Sequence, residues 1–144
     1  MAFIADASMT LAWFMADEAT ADTRAVRELI RRTSLVVPAV WPLEIANALI
    51  GSERCQRLTR SQTERIGQLL GRLPIEIEPV DLVVLRRQTL PLAREHGLSI
   101  YDATYLELAV RRGLALATLD ARMVAAAHRL GVVLVQVMPG NGQT

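Results

Sequence analysis

The chain has 144 residues, the length of one ordinary domain, and 51% of them are hydrophobic. Its sixteen basic residues, all arginine, nearly balance fifteen acidic ones. The absence of lysine excludes a Gly-Lys-Ser phosphate loop and a Schiff-base lysine, and no apolar run approaches the roughly 18 residues that cross a membrane.

The cysteine content and the first residues of the chain bear on its compartment. A single cysteine, Cys55, cannot form an internal disulfide, which favours a reducing environment. The opening residues reach an acid at Asp6 and carry no basic leader, so they predict no signal peptide. We therefore expect a cytoplasmic protein.

Short apolar runs alternate with longer helical stretches along the chain. The predicted strands are Phe3–Ala5, Leu35–Val37, Ile75–Val80, Leu114–Ala117 and Val132–Val135. The predicted helices between them are Thr20–Arg32, Pro42–Arg54, Ser61–Leu73, Leu82–His96, Ile100–Arg112 and Ala121–Leu130. Strands separated by helices favour parallel pairing, so we predict an α/β fold: a three-layer α/β/α sandwich around a central, mostly parallel sheet. Residues 1–138 form one predicted domain, and residues 139–144 a frayed tail.

An acidic side chain, Asp6, closes the first predicted strand. Open α/β sheets bind ligands at the carboxyl ends of their strands, so this position predicts a functional carboxylate. A turn or helix cap is the structural alternative. Ser8 follows two residues later and is predicted either to orient Asp6 or a metal-bound water, or to be the N-cap of a helix from Met9 to Met15.

Glu44 lies in the first turn of a predicted helix, where the helix dipole alone favours an acid. Asn47 is three residues further on, so the two polar side chains share a helix face. The other members of that face are apolar, which predicts that it points inward: Leu43, Ala46 and Ile50. A polar pair on an inward face favours a ligand or a metal.

Asp102 and Asp120 flank the fourth predicted strand, and each suits a helix N-terminus. Ser99 and Asp102 have the spacing of a capping box, and Asp120 directly precedes a predicted helix. Taken singly, both acids are explained as structural. Their placement on either side of one strand favours a joint role with Asp6 and Glu44, because parallel strands end at one edge.

Four carboxylates in one pocket predict a divalent cation. Oxygen-only ligands select hard cations such as Mg²⁺ or Mn²⁺ over zinc. The carboxylates would repel one another and raise at least one pKa until a cation relieved the repulsion.

Four segments together resemble a PIN domain, and more narrowly the VapC-type toxin nucleases of bacterial toxin–antitoxin pairs: Ile4–Ser8, Pro42–Asn47, Ser99–Tyr105 and Ala117–Asp120. The resemblance implies an acidic quartet that binds metal and catalyses, formed by Asp6, Glu44, Asp102 and Asp120. It implies three supporting polar residues: Ser8, Asn47 and Thr118. It further implies a Mg²⁺- or Mn²⁺-dependent endoribonuclease that acts on RNA, is neutralised by a cognate antitoxin and commonly forms a homodimer.

Three other functions could use some of the same residues. An aspartyl-nucleophile phosphatase would need an acid where Ser8 stands, and the lysine of that class is missing. A non-catalytic interaction module whose acids only cap helices explains Asp102 and Asp120, but neither Asp6 nor the pairing of Glu44 with Asn47. A housekeeping RNA-processing nuclease with the same site stays open, since only an antitoxin gene nearby would separate it from a toxin.

Overall fold

A parallel sheet forms the centre of the computed structural model, which describes residues 1–15 and 28–135. Its strands are β1 (Ala2–Ala5), β2 (Ser34–Pro38), β3 (Ile75–Glu78) and β4 (Ala115–Ala117), in the spatial order β3-β2-β1-β4. Ile4 of β1 pairs with Val36 of β2 on one side and with Leu116 of β4 on the other. These three side chains are fully buried, as expected of parallel strands covered on both faces.

Helices connect and cover the strands, which confirms the predicted three-layer α/β/α sandwich. They are α1 (Ala7–Ala12), α2 (Trp41–Arg54), α3 (Arg60–Leu70), α4 (Leu82–Val84), α5 (Leu90–His96), α6 (Ile100–Arg112) and α7 (Ala121–Leu130). A π-helical stretch, Leu85–Thr89, joins α4 to α5. Within the described residues, no helix has the length and apolar character needed to traverse a bilayer.

Two predicted elements take a different form in the structure. The helix predicted over Leu82–His96 contains the π-helical stretch just before Pro91, which has no N–H to donate to the preceding turn. The strand predicted over Val132–Val135 makes only one isolated parallel bridge, between Leu134 and Leu116. Its partner β4 has three residues, which leaves little backbone for a longer ladder.

Two sequence predictions fall largely outside the described residues. The helix predicted over Thr20–Arg32 lies there except for a helical turn at residues 28–30. The predicted tail, residues 139–144, lies there entirely.

The parallel arrangement determines where the candidate site lies. Since β1, β2 and β4 run in one direction, their carboxyl ends share an edge of the sheet. Asp6 follows β1 directly, and Thr118 follows β4 directly. The backbone N–H of Asp6 donates to the carbonyl of Ala117 at 3.3 Å, so the two strand ends remain hydrogen bonded up to the candidate site.

Candidate active site

Asp6 is a nearly buried carboxylate, only 7% exposed, at the end of the central strand. Its Oδ1 accepts a hydrogen bond from the Met9 backbone N–H at 2.8 Å, and its Oδ2 accepts one from the Thr118 hydroxyl at 2.5 Å. Burial raises the pKa of Asp6, the Thr118 and Met9 hydrogen bonds lower it, and the like charges of Asp102 and Asp120 raise it again. The net effect is a raised pKa, so an ionised Asp6 at neutral pH opposes folding.

Asp6, and not Ser8, caps the first helix. The helix begins at Ala7, and Asp6 has the extended backbone of an N-cap, with φ −73° and ψ 170°. The alternative of Ser8 as N-cap of a helix from Met9 to Met15 is therefore wrong, because the carboxylate of Asp6 already binds the Met9 amide. The Ser8 side chain is exposed, and its supporting role stays a prediction.

Glu44 is half-buried in the first turn of α2 and is held by a tyrosine from α6. The phenol of Tyr105 donates a hydrogen bond to Glu44 Oε1 at 2.7 Å. Burial raises the pKa of Glu44, the Tyr105 hydrogen bond lowers it, and the charges of Asp102 and Asp6 raise it again, for a net rise. Glu44 thus lies within electrostatic range of two other acids.

The predicted inward face of α2 is wrong. Asn47 is exposed and Leu43 is 72% exposed, so this face meets solvent. The helix instead buries Trp41 and Ile45, which are four residues apart and enter the core. Trp41 also donates its indole N–H to the hydroxyl of Thr10 at 3.3 Å. Because the indole of Trp41 is larger than the side chain of Asn47, its burial turns Asn47 toward solvent. The supporting role of Asn47 stays a prediction.

Asp102 and Asp120 lie at helix N-termini, as their sequence contexts predict. Ser99 caps α6 and accepts from the Asp102 backbone N–H at 3.1 Å. Burial raises the pKa of Asp102, the Ser99 hydrogen bond lowers it, and the charge of Asp120 raises it. Asp120 caps α7 by accepting from the backbone N–H groups of Arg122 at 2.8 Å and Met123 at 3.3 Å. Both acids therefore have structural partners of their own.

Thr118 links two of the acids at the sheet edge. Its hydroxyl donates to Asp6 Oδ2 and accepts from the Asp120 backbone N–H at 3.1 Å. One side chain thereby fixes the spacing between the carboxylate after β1 and the loop after β4. This geometry fits the supporting position that the resemblance implies for Thr118, whose functional role stays a prediction.

The four acids of the predicted quartet share one electrostatic environment. Like charges act between every pair of them except Glu44 and Asp120. Across residues 1–15 and 28–135, however, no three carboxylate, imidazole or thiol groups are grouped closely enough to hold one cation together. Each carboxylate instead faces its own hydrogen-bond partner. The structure brings the quartet to one edge of the sheet without closing it into a ligand shell.

Tyr105 belongs to the site, although the sequence alone predicted no role for it. Its side chain is 1% exposed, and burial and the Glu44 carboxylate both raise its pKa well above the ordinary value, so it stays a neutral donor. The available signal is its spacing: Tyr105 is three residues after Asp102, so both lie on neighbouring positions of α6. A polar tip on an otherwise buried ring needs a partner, and here that partner is Glu44.

For the RNA cleavage that the resemblance implies, we expect Tyr105→Phe to lower kcat/KM by about 10- to 100-fold, the usual effect of losing a partner that orients a carboxylate ligand. The phenylalanine ring still fills the core, so the fold is retained. The loss of activity arises because Glu44 no longer accepts the hydrogen bond that orients it. Tyr101→Phe on the same helix is the control, because Tyr101 is 55% exposed. Steady-state kinetics should separate the two variants, and equal activities would remove Tyr105 from the site.

A parallel α/β sandwich with four carboxylates at the carboxyl edge of its sheet places these acids where open α/β sheets bind their ligands. The sequence matches the model of the PIN domain family over residues 3–129. The chain belongs to the PIN domain family, which confirms the resemblance.

Relatives with known names agree with this assignment. The chain is 32% identical to Ribonuclease VapC3 of Mycobacterium tuberculosis over 110 residues, in both strain CDC 1551 / Oshkosh and strain ATCC 25618 / H37Rv. That alignment covers 74% of this chain and 77% of VapC3. The fold is similar to the crystal structure of PAE2754 from Pyrobaculum aerophilum, with a TM-score of 0.65 and 25% identity, over 88% of this chain and 87% of that one.

Proposed function

We propose that this PIN-domain protein is a Mg²⁺- or Mn²⁺-dependent endoribonuclease and the toxin of a type II toxin–antitoxin module. One observation carries the nuclease proposal: the fold brings Asp6, Glu44 and Asp102 from separate parts of the chain to one edge of the sheet, where burial, and then the charges of neighbouring acids, raise the pKa of each. Partly buried carboxylates that repel one another are typical of functional sites that bind a counter-charge. The likeness to Ribonuclease VapC3 supports RNA as the substrate.

The donor set suits a hard divalent cation, since it consists of oxygen atoms alone. We propose that Asp6, Glu44 and Asp102 hold it, with Asp120 completing the quartet. Such a cation supplies positive charge that stabilises the phosphoryl oxygens and promotes ionisation of the attacking water.

The surrounding residues would prepare this set for RNA. The Thr118 hydroxyl fixes the orientation of the Asp6 carboxylate, and the Tyr105 phenol fixes that of Glu44. Both bonds are donated to the ionised form of the acid, which favours the charged carboxylates that a cation needs. Single-stranded RNA, whose backbone can be splayed toward a pocket, is the proposed form of the substrate.

The toxin role and the partners are part of the same proposal. Growth arrest would follow from RNA cleavage that inhibits translation, and a cognate antitoxin would neutralise it. We propose a homodimer as the assembly and the cytoplasm as the location. The cytoplasmic location is in keeping with Cys55, which is exposed and forms no disulfide. A housekeeping RNA-processing nuclease would use the same site and would lack an antitoxin.

A second candidate function, a non-catalytic interaction module, is favoured by one observation. Asp6 and Asp120 are both satisfied N-caps, and Ser99 caps the helix of Asp102. Capping alone accounts for these three positions. It does not account for Glu44, whose partner is a buried tyrosine from another helix.

Incubation of the purified protein with total RNA separates the two functions. We expect fragments in Mg²⁺ and none after EDTA is added, because removal of the cation removes the counter-charge of the quartet. Cleavage that persists in EDTA would contradict metal dependence. No cleavage in Mg²⁺ or Mn²⁺ would favour the interaction module.

A further inference from the structure

A basic cleft lies along α7, the helix that Asp120 caps. It has a volume of about 430 Å³ and is lined at the end of α5 and along one face of α7, by His96, Gly97, Arg122, Ala125, Ala126 and Arg129. We call it the His96 cleft. Its lining contains three basic side chains, those of His96, Arg122 and Arg129, and no acidic one. The rest of its lining is glycine and alanine, which leave room for a ligand.

His96 is the anomalous residue of this cleft. Both of its ring nitrogens are buried, and neither has a hydrogen-bond partner among the described residues. At least one of the two nitrogens carries a proton, so the ring buries a donor with nothing to receive it. Such a group opposes folding, because it loses water without gaining a partner. Both nitrogens are shielded from solvent in this conformation, so a hydrogen-bond acceptor in the cleft would pair with one of them only after the imidazole ring turns.

Arg122 and Arg129 are two exposed cations on the same face of α7. They are seven residues apart, two helical turns, so their side chains project from the same side about 10 Å apart along the axis. Neither guanidinium makes an ion pair or side-chain hydrogen bond within residues 1–15 and 28–135. By contrast, Arg111 and Arg112 are both paired with glutamates.

The chain connects the cleft to the quartet through two helix starts. Arg122 is two residues beyond Asp120, and its own N–H binds the Asp120 carboxylate. His96 is three residues before Ser99, the cap of the helix that carries Asp102. The Arg122 end of the cleft therefore lies close to Asp120. One acid of the quartet stands next to the first cation of the row.

We propose that the His96 cleft binds backbone phosphates of the RNA strand that enters the acidic site, an inference that rests on the proposed nuclease function. Arginine binds phosphate bidentately and without titrating, and two such groups along a helix follow a strand rather than a single anion. A protein partner would want a buried aromatic or aliphatic anchor, and this lining offers only alanine. The row of cations would give the strand its direction across the quartet.

The test compares RNA binding by two double variants in the Asp6→Asn background with Mg²⁺, where the RNA is not cut. Fluorescence anisotropy with a labelled single-stranded RNA gives the affinity at several salt concentrations. Arg122→Gln with Arg129→Gln should weaken binding at least 10-fold at low salt. It should also reduce the slope of log affinity against log salt by about 1.4, the value for two lost contacts to a single strand.

A matched control removes the same charge from the opposite side of the sheet. Arg65 of α3 and Arg72, which precedes β3, are both exposed, and Arg65→Gln with Arg72→Gln should leave affinity and slope nearly unchanged. Equal loss in both double variants, or no loss in either, would overturn the proposal. Unchanged RNA binding together with lost binding of an acidic protein would overturn it in favour of a protein contact.

His96 provides a second and independent variant. We expect His96→Leu to raise the melting temperature, because it removes two buried unsatisfied nitrogens, and to weaken RNA binding. An RNA affinity equal to that of the parent would exclude His96 from the contact. A higher melting temperature together with weaker RNA binding distinguishes a group that binds a ligand from one that only packs in the core.

Hydrolysis of a small phosphodiester distinguishes failure of the nuclease proposal from failure of the proposed RNA contact at the His96 cleft. A small chromogenic phosphodiester reaches only the acidic pocket, so wild type and the Arg122/Arg129 variant should hydrolyse it equally. If wild type hydrolyses neither RNA nor the diester, the nuclease proposal fails. The anisotropy comparison still decides whether the cleft binds RNA.

Discussion

Replacement of Asp6 by asparagine is expected to lower RNA cleavage by at least about 10³-fold while raising the melting temperature of the metal-free protein. The loss of activity follows from removing the most buried charge of the quartet. The gain in stability has the same origin, since burial and the charges of Asp102 and Asp120 oppose an ionised Asp6. Asparagine is also a good N-cap and can still accept from Met9. Relief of about 1 kcal/mol would raise Tm by roughly 2–4 °C in a domain of this size.

The pH dependence of this gain follows from the raised pKa. A carboxyl group with a raised folded-state pKa favours folding below its unfolded value, about 3.9 for Asp, and loses that contribution as pH rises through the folded value. The difference in Tm between Asp6→Asn and wild type, measured in EDTA, should therefore be largest at neutral pH and shrink in mild acid. A wild type that is more stable than Asp6→Asn at pH 7 would contradict the proposed repulsion.

Asp81 supplies the matched control for loss of an acidic cap. Its Oδ1 accepts from the backbone N–H groups of Val83 at 2.7 Å and Val84 at 3.2 Å, much as Asp120 does at α7. It is exposed and contributes to none of the pKa shifts of the quartet. Asp81→Asn should therefore keep full cleavage activity, which separates the effect of the site from that of a cap.

Induction of the wild-type protein in a bacterial host without antitoxin is expected to arrest growth, and Asp102→Asn is expected to abolish that arrest. Asp102 is half-buried in the first turn of α6, and its substitution removes a charge shared with Asp6 and Glu44. The Ser99 cap binds the backbone N–H of residue 102, so it survives the change. The cost in helix dipole energy is about 0.3–1 kcal/mol, too little to unfold a typical domain.

The growth assay needs equal amounts of soluble protein in each culture, with Asp81→Asn as the second control. Arrest by wild type and Asp81→Asn but not by Asp102→Asn would support a catalytic role for Asp102. Equal arrest by all three would show that Asp102 is only a structural residue of α6. Absence of arrest by wild type would contradict the toxin role and leave the nuclease proposal to the RNA assay.

The sheet and the edge could be predicted because both depend on local patterns. Short apolar runs before Asp6 and before Pro38, separated by helical periodicity, specify buried parallel strands. The position of Asp6 then follows from chain direction alone. Thr118 was predicted from the family resemblance and not from chain direction, and the structure places it directly after β4.

The inward face of α2 could not be predicted because it depends on competition between side chains. Glu44 and Asn47 are correctly spaced for one face, but burial of Trp41 and Ile45 sets the rotation of the helix. The partner of Glu44 is 61 residues away in sequence, at Tyr105. Periodicity carries no information about such a contact, which appears only when α2 and α6 are packed on the sheet.

Calorimetric titration of the wild-type protein with Mn²⁺ tests whether the quartet is one cation site. We expect saturable binding and a raised melting temperature in wild type, with affinity at least about 10-fold lower in Asp6→Asn and unchanged in Asp81→Asn. Equal Mn²⁺ affinity in wild type and Asp6→Asn, or no binding to wild type, would contradict this expectation.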